Sequence, residues 1–214
     1  MLKNIIFHHF SKLDERKHAY MNALHISKKH KTIFFHIAKT GGSSIAHELQ
    51  NNGYDDNILS NRNISRHIKL KYLKDVIKDW DSYYKFTFIR NKYDLLRSLY
   101  NMNKYFSKSI PNNITFPQFI ENYIGKTSEY GSWLDQYNLT HINNQCVFDF
   151  IGKFESYESD RHFIFQKLNI KNCILHHNKG NYQAGEKLTY TENMQQIVKL
   201  YFKEEFNYFD WKYN

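Results

Sequence analysis

Apolar positions along the chain change period several times, and each change marks an element. The run Ile33-Phe34-Phe35-His36-Ile37 suits a buried strand, and it leads through Lys39-Thr40-Gly41-Gly42 into a segment with Ile45, Ala46 and Leu49 on one helical face. Residues 53–66 are polar and irregular, after which Leu70, Leu73, Ile77 and Trp80 mark a helix face. A second strand is expected over 83–89 and a helix over 92–106. Thr115-Phe116-Pro117-Gln118 is a capping-box pattern with proline in the first turn, so a helix starts there and ends near Gly125. Residues 125–146 look mostly irregular. A strand over 147–154 leads to a helix that begins near Ser156, with Glu158 and Asp160 in its first turn, and Cys173-Ile174-Leu175 suits a further short strand. The last helix is expected over 189–206: Thr189 and Glu192 suit a capping box, and Met194, Ile197, Val198, Tyr201 and Phe202 recur at helical spacing. Apolar strands alternating with helices predict an α/β fold, a parallel sheet flanked by helices on both faces. No linker or low-complexity stretch divides the 214 residues, so a single domain over 1–214 is expected, with 1–30 as an N-terminal extension.

In such a sheet ligands bind beyond the carboxyl ends of the strands, where Lys39 and Arg90 both fall. The glycine turn into a helix is an anion cradle, because free amides at a helix start and the positive end of its dipole favour phosphate. Lys39 precedes the glycines, whereas a Walker A loop carries its lysine after the second glycine. Lys-Thr-Gly-Gly-Ser-Ser after an apolar strand instead resembles the 5′-phosphosulfate loop of the sulfotransferase superfamily, in particular its Golgi-type and bacterial carbohydrate sulfotransferases, which reads roughly H-I-P-K-T-G-G-T-S. The block Phe86-Thr87-Phe88-Ile89-Arg90-Asn91-Lys92-Tyr93-Asp94 through Ser98 and Tyr100 is similar to that family's 3′-phosphate segment, F-x-F-V-R-N-P-Y-D-R-L-x-S-x-Y. Asp149-Phe150-Ile151-Gly152-Lys153-Phe154-Glu155 resembles its D-F-I-G-R-F-E strand, and Tyr190-Thr191-Glu192 with the tail Phe209-Asp210-Trp211 resembles its closing helix. The four blocks come in family order and span residues 33 to 211.

The resemblance implies a P-loop-like sheet and 3′-phosphoadenosine 5′-phosphosulfate (PAPS) as sulfuryl donor, with an acceptor hydroxyl attacking sulfur in line and no metal. By the same resemblance Lys39, Thr40, Gly41, Gly42, Ser43 and Ser44 hold the 5′-phosphosulfate, and Arg90 and Ser98 hold the 3′-phosphate. Lys39 is the expected catalytic cation, since charge builds on the oxygen between sulfur and phosphorus as that bond breaks. His67, just before the helix at 69, resembles the catalytic histidine of related carbohydrate sulfotransferases and suits a general base near pH 7. Glu48 is a second candidate base, although helical spacing turns it toward solvent, and His36 on the strand reads as a packed residue. Outside the motif, Lys39 reads as a solvated loop lysine, Arg90 as a strand-end ion-pair partner and Ser98 as a small residue at a helix contact. The acceptor implied is a saccharide or glycoconjugate, and residues 176–188 occupy the place of a family loop that closes over nucleotide or acceptor.

Composition narrows this frame modestly. Thirty Lys and Arg against 21 Asp and Glu give a net charge of +9, which suits an anionic ligand or polymer and equally suits solubility. Only Cys146 and Cys173 occur, which fits a reducing compartment rather than a disulfide framework. The apolar run at the start is too short for a signal sequence and no stretch approaches a membrane span, so a soluble, cytoplasmic protein is expected, the resemblance implies a bacterial enzyme, and the sequons at Asn63, Asn113 and Asn138 carry no weight. The pairs His8-His9 and His176-His177 have no Cys or acidic cluster to complete a metal site.

Two departures from the family pattern stand out: Ala38 where proline precedes the lysine, and Lys92 where proline follows Arg-Asn. Both prolines shape turns, so their loss is expected to loosen the loops without removing a contact. Two rival readings have their own signatures. A P-loop kinase or ATPase needs a Mg²⁺-binding acid after a strand, a place only Glu155 fills, and would depend on magnesium. A passive module for anionic glycan or nucleic acid would bind in a salt-sensitive way without donor selectivity, and has no need of a two-part phosphate site.

Overall fold

The computed structural model describes residues 23–54, 73–74, 77–106, 111, 113–124, 134–170 and 188–213. Among them, β1 (Ala23–Ser27), β2 (Thr32–His36), β3 (Tyr84–Ile89) and β6 (Phe150–Lys153) form one sheet in the order β1-β2-β3-β6, and β4 (His141–Ile142) and β5 (Gln145–Cys146) form a small hairpin. The helices are α1 (Gly42–Asn51), α2 (Lys92–Asn101), α3 (Phe116–Gln118), α4 (Tyr157–Lys167), α5 (Glu192–Tyr201) and α6 (Lys203–Phe209). β2, β3 and β6 run parallel and β1 is antiparallel to β2, so the fold is α/β with a mostly parallel sheet, as the alternation of strands and helices predicts.

Register explains why the strands read as nearly continuous apolar runs. Phe34, Phe86 and Phe150 are direct neighbours across β2, β3 and β6, and this face packs on Ile45 and Leu49 of α1 and on Ile164 and Phe165 of α4. The opposite face sets Ile33, Phe35 and Ile89 against Trp80, Phe148, Phe209 and Trp211. Both faces are therefore buried, which is the condition for a parallel sheet. A third core joins α2, α3 and α5 through Leu96, Leu99, Phe116, Met194 and Val198. Each such large side chain contributes about 1.5–3 kcal/mol relative to exposure.

Several boundaries differ from the expectation. Residues 23–27, assigned to an N-terminal extension, supply the edge strand β1, whose Leu24 and Ile26 are buried while His25 between them is not. The helix expected over 92–106 is α-helical only to Asn101 and continues as a π-helical turn over Met102–Phe106. The strand expected over 147–154 pairs only over Phe150–Lys153, because Phe154–Ser156 turns out of the sheet as a 3₁₀ segment. The irregular stretch before it contains the hairpin, turned by Asn143 and Asn144 at φ 50° and 63°, the paired left-handed residues that a two-residue hairpin turn requires. The helix expected over 189–206 is two helices broken at Phe202. Its N-cap is Thr191, which accepts from the Met194 amide, rather than Thr189; Tyr190 must first bury its ring and donate its hydroxyl to the Tyr93 carbonyl (3.0 Å). The capping box at Thr115 and Gln118 is present as read. Of the helix face Leu70, Leu73, Ile77 and Trp80, Leu73 is helical, Trp80 opens a 3₁₀ turn and Leu70 lies outside the described residues, as does the strand expected at 173–175. No helix among the described residues is long and apolar enough to cross a membrane.

Candidate active site

Two turns leave the sheet side by side at the carboxyl ends of β2 and β3. The first runs from Ile37 to the start of α1. Lys39 (φ 68°) and Gly41 (φ 82°) both adopt the left-handed region within three positions. For glycine this is without strain, but for Lys39 it costs about 1–2 kcal/mol, and such strain concentrates where function requires a particular backbone. Close packing fixes the two glycines further. A Cβ at Gly42 would sit 2.1 Å from the His36 ring, and one at Gly41 would sit 2.8 Å from the Tyr157 ring. His36 is the packed residue the sequence suggests: loss of hydration, with smaller effects from His25 and Lys39, pulls its pKa to about 3, so it is neutral filler under the turn.

The hydroxyls of this turn are not equivalent. Thr40 is fully buried and donates its hydroxyl to the Ile37 carbonyl (2.8 Å), so that hydroxyl is turned inward. The Ser44 side chain is buried and shares a hydrogen bond with the Tyr157 hydroxyl, which also donates to the Gly41 carbonyl (3.0 Å). Ser43 is exposed. The first amides of α1 have no partners further back in the helix, apart from a 3.3 Å bond from Ser44 to Gly41, and they carry the positive end of the helix dipole.

The second turn is Arg90-Asn91-Lys92. The Arg90 guanidinium stacks on Phe154 (4.1 Å from its ring centre), and its Nη1 donates to the Lys39 carbonyl (3.3 Å). The two turns are thus joined through Arg90. Burial, and secondarily the Arg90 charge, lower the Lys39 pKa to about 8. Both causes act against a cation there, so a bound anion would relieve the tension between the two side chains. Asn91 caps α2 by accepting from the Tyr93 amide (3.0 Å), and its own amide donates to Glu155 Oε1 (2.6 Å). The acid expected of a kinase after β6 is therefore bonded to the start of α2.

Behind Arg90 lies a buried polar network. Gln136 Oε1 accepts from the Arg90 amide (2.7 Å), and Gln136 Nε2 donates to the Arg90 carbonyl (2.8 Å) and to Glu205 Oε1 (2.6 Å). Glu205 also accepts from the Gln136 amide (2.8 Å) and from Trp211 Nε1 (3.1 Å), and pairs with Lys92 Nζ at 2.9 Å with both side chains 0% exposed. Lys92 donates in addition to the Leu134 carbonyl. Burial pushes Lys92 down and Glu205 up, and their mutual attraction opposes both shifts. Lys92 therefore does not loosen its turn as expected from the missing proline; it anchors the turn to α6.

Of the residues expected at the site, Lys39, Thr40, Gly41, Gly42, Ser43, Ser44 and Arg90 are gathered at one end of the sheet. Ser98 is partly buried on α2, about 9 Å of helix rise beyond Lys92. His67 and the histidine pairs at 8–9 and 176–177 lie outside the described residues, as does the 176–188 stretch except for Leu188. Glu48 is buried rather than solvent-facing, on the side of α1 where its charge reaches Tyr157 of α4. A family model described as the sulfotransferase family matches residues 22–213. The chain belongs to the sulfotransferase family. No curated protein and no solved structure matches it. The matched range opens just before β1, so the edge strand belongs to the sulfotransferase domain. Tyr157, Gln136 and Glu205 of this sulfotransferase have no place in the sequence reading, and Phe154 and Trp211 appear there only within family-like blocks, without a role. An aromatic directly after β6 is a visible signal for Phe154; Tyr157, Gln136 and Glu205 carry no local pattern.

Proposed function

We propose that this sulfotransferase uses PAPS as donor and transfers its sulfuryl group to a hydroxyl of a saccharide or glycoconjugate. The observation that carries the reading is the junction of the two turns, where Arg90 donates to the Lys39 carbonyl, so that two cations and the start of α1 converge at the carboxyl ends of adjacent strands. The turn suits an anion because its lysine lies beside a second cation and the start of α1 carries the positive end of a helix dipole. When bound, the donor supplies a sulfuryl group that passes in line to the acceptor oxygen, the bond from sulfur to the 5′-phosphate oxygen breaking as the new S–O bond forms.

The amides of Thr40 to Ser44 and the exposed Ser43 hydroxyl hold the 5′-phosphosulfate, and Lys39 Nζ stabilises the charge left on the departing phosphate oxygen. With a pKa of about 8, Lys39 is still mostly charged at neutral pH, and its proton is held less tightly than that of an ordinary lysine, which strengthens donation to a developing oxyanion. Arg90 offers a planar fork to the 3′-phosphate, and Ser98 a hydroxyl further along α2. His67 accepts the acceptor's proton as a neutral imidazole. Low cysteine usage supports a reducing, cytoplasmic setting.

The test is transfer of labelled sulfate from PAPS to a panel of saccharides without added metal, by the wild-type protein and by Lys39→Ala and His67→Ala. Lys39→Ala is expected to lose about 10²–10³-fold in turnover, the size of one oxyanion contact. His67→Ala is expected to lose acceptor turnover while binding nucleotide normally. Full turnover in Lys39→Ala would overturn the role of that lysine, and transfer of phosphate from ATP with Mg²⁺ in place of sulfate would overturn the donor.

A further inference from the structure

Arg90 occupies an awkward place in the backbone. β3 ends at Ile89 and α2 begins at Lys92, and the first backbone bond of α2 runs from Leu95 to the Asn91 carbonyl. The Arg90 amide and carbonyl thus lie beyond the sheet ladder and before the helix, and buried backbone groups of this kind need partners. Gln136 meets both with one side chain, its oxygen accepting at 2.7 Å and its nitrogen donating at 2.8 Å, much as the peptide of a neighbouring strand would. Only a primary amide carries a donor and an acceptor spaced for this. Its orientation is set from behind, because Nε2 donates its second proton to Glu205 and the Gln136 amide donates to the other Glu205 oxygen. Glu205 is in turn fixed by Lys92 and Trp211.

We infer that Gln136 is a positioning residue for recognition of the donor's 3′-phosphate: it clamps the Arg90 backbone in the one register from which the guanidinium stacks on Phe154 and reaches the ligand, and α6 sets the clamp through Glu205. This rests on the donor reading above. The role is chiefly one of selectivity, because the Lys39 turn keeps its contacts with Tyr157 and His36 when the Arg90 bond to the Lys39 carbonyl is loosened. Gln136 acts through Arg90 and touches no substrate atom.

Calorimetric titration with adenosine 3′,5′-bisphosphate and with AMP, which lacks the 3′-phosphate, reads this directly in the wild-type protein and in Gln136→Met. The wild type is expected to prefer the bisphosphate. Gln136→Met is expected to bind the bisphosphate about tenfold more weakly, as for loss of one good hydrogen bond to a charged group, with a clearly smaller loss for AMP. Gln136→Asn, whose amide is one methylene short of Arg90, gives the same selective loss and serves where Gln136→Met does not fold. Equal weakening of both nucleotides would show general loosening and overturn the proposal, as would an unchanged bisphosphate affinity. A wild-type protein that does not distinguish the two nucleotides would instead overturn the donor reading on which the clamp depends, so the two failures are separable.

Discussion

The Lys39 turn and the Arg90 turn carry adjacent cations at the same end of the sheet and are built in opposite ways. The first is local: two left-handed residues, two glycines and the start of α1 shape it within a few positions, and the contacts from His36, Phe154 and Tyr157 cover the result. The second is remote: Gln136 lies 46 residues from Arg90, and Glu205 a further 69 beyond Gln136. A turn shaped by its own backbone can be specified by a short run of sequence. A guanidinium on a long, flexible stem needs a scaffold gathered from the whole chain to hold it in one place.

The largest effect should come from breaking the remote scaffold. Glu205→Ala leaves Lys92 buried without its carboxylate and frees Gln136, so unfolding stability is expected to fall by about 3–5 kcal/mol, a drop in melting temperature of roughly 10 °C. Replacing Lys92 and Glu205 together by Met and Gln should restore much of that loss, because a buried pair is costly chiefly when one member is left alone. Denaturant unfolding of the single and double variants checks this, and additive losses would contradict it.

A smaller effect separates the two cations by pH. Lys39 titrates near 8 in the fold against an ordinary value of 10.5, whereas a guanidinium stays charged throughout. Bisphosphate affinity should therefore fall as pH rises through about 8, by up to tenfold for each further unit. The stability of the unliganded protein should respond with the opposite sign. A charged Lys39 is disfavoured in the fold, so its unfavourable contribution is present below pH 8 and fades between about 8 and 10.5. The Lys39→Met variant should lack both trends in titrations over pH 7 to 10; an unchanged pH dependence would assign it to another group.

The smallest effect probes the local turn. Thr40→Val removes the hydroxyl that donates to Ile37 and should cost about 1 kcal/mol of stability while leaving turnover unchanged, since that hydroxyl faces inward. A marked loss of turnover with unchanged stability would mean that the hydroxyl turns outward to the donor.

The same contrast explains what could be read in advance. The strand Thr32–His36, its glycine turn and the face of α1 were legible because period, glycine and helix start all lie within one window. The position of Arg90 at a strand end was legible in the same way. The clamp behind it was not, since a lone glutamine at 136 and a glutamate at 205 have no period or spacing that would pair them. Lys92 was misjudged for a related reason: a lysine in place of a turn-forming proline looks like loss of rigidity until the buried carboxylate opposite it is seen. β1 escaped notice because only Leu24 and Ile26 mark it, within a stretch rich in His and Lys. Helix ends were misplaced where tertiary demand outweighed local capping, as at Tyr190, whose buried ring delays α5 to Thr191.

The two turns together are proposed to form a site for a nucleotide carrying both 5′- and 3′-phosphates. Thermal unfolding with adenosine 3′,5′-bisphosphate, compared with ADP and with ATP plus Mg²⁺, tests it most directly. A ligand at about a hundred times its dissociation constant adds roughly 2.7 kcal/mol, which for a domain of this size raises the midpoint by roughly 5–10 °C. Such a shift is expected for the bisphosphate, and a clearly smaller one for ADP and for ATP with Mg²⁺. Stabilisation by ATP with Mg²⁺ alone, or by none of the three, would contradict it.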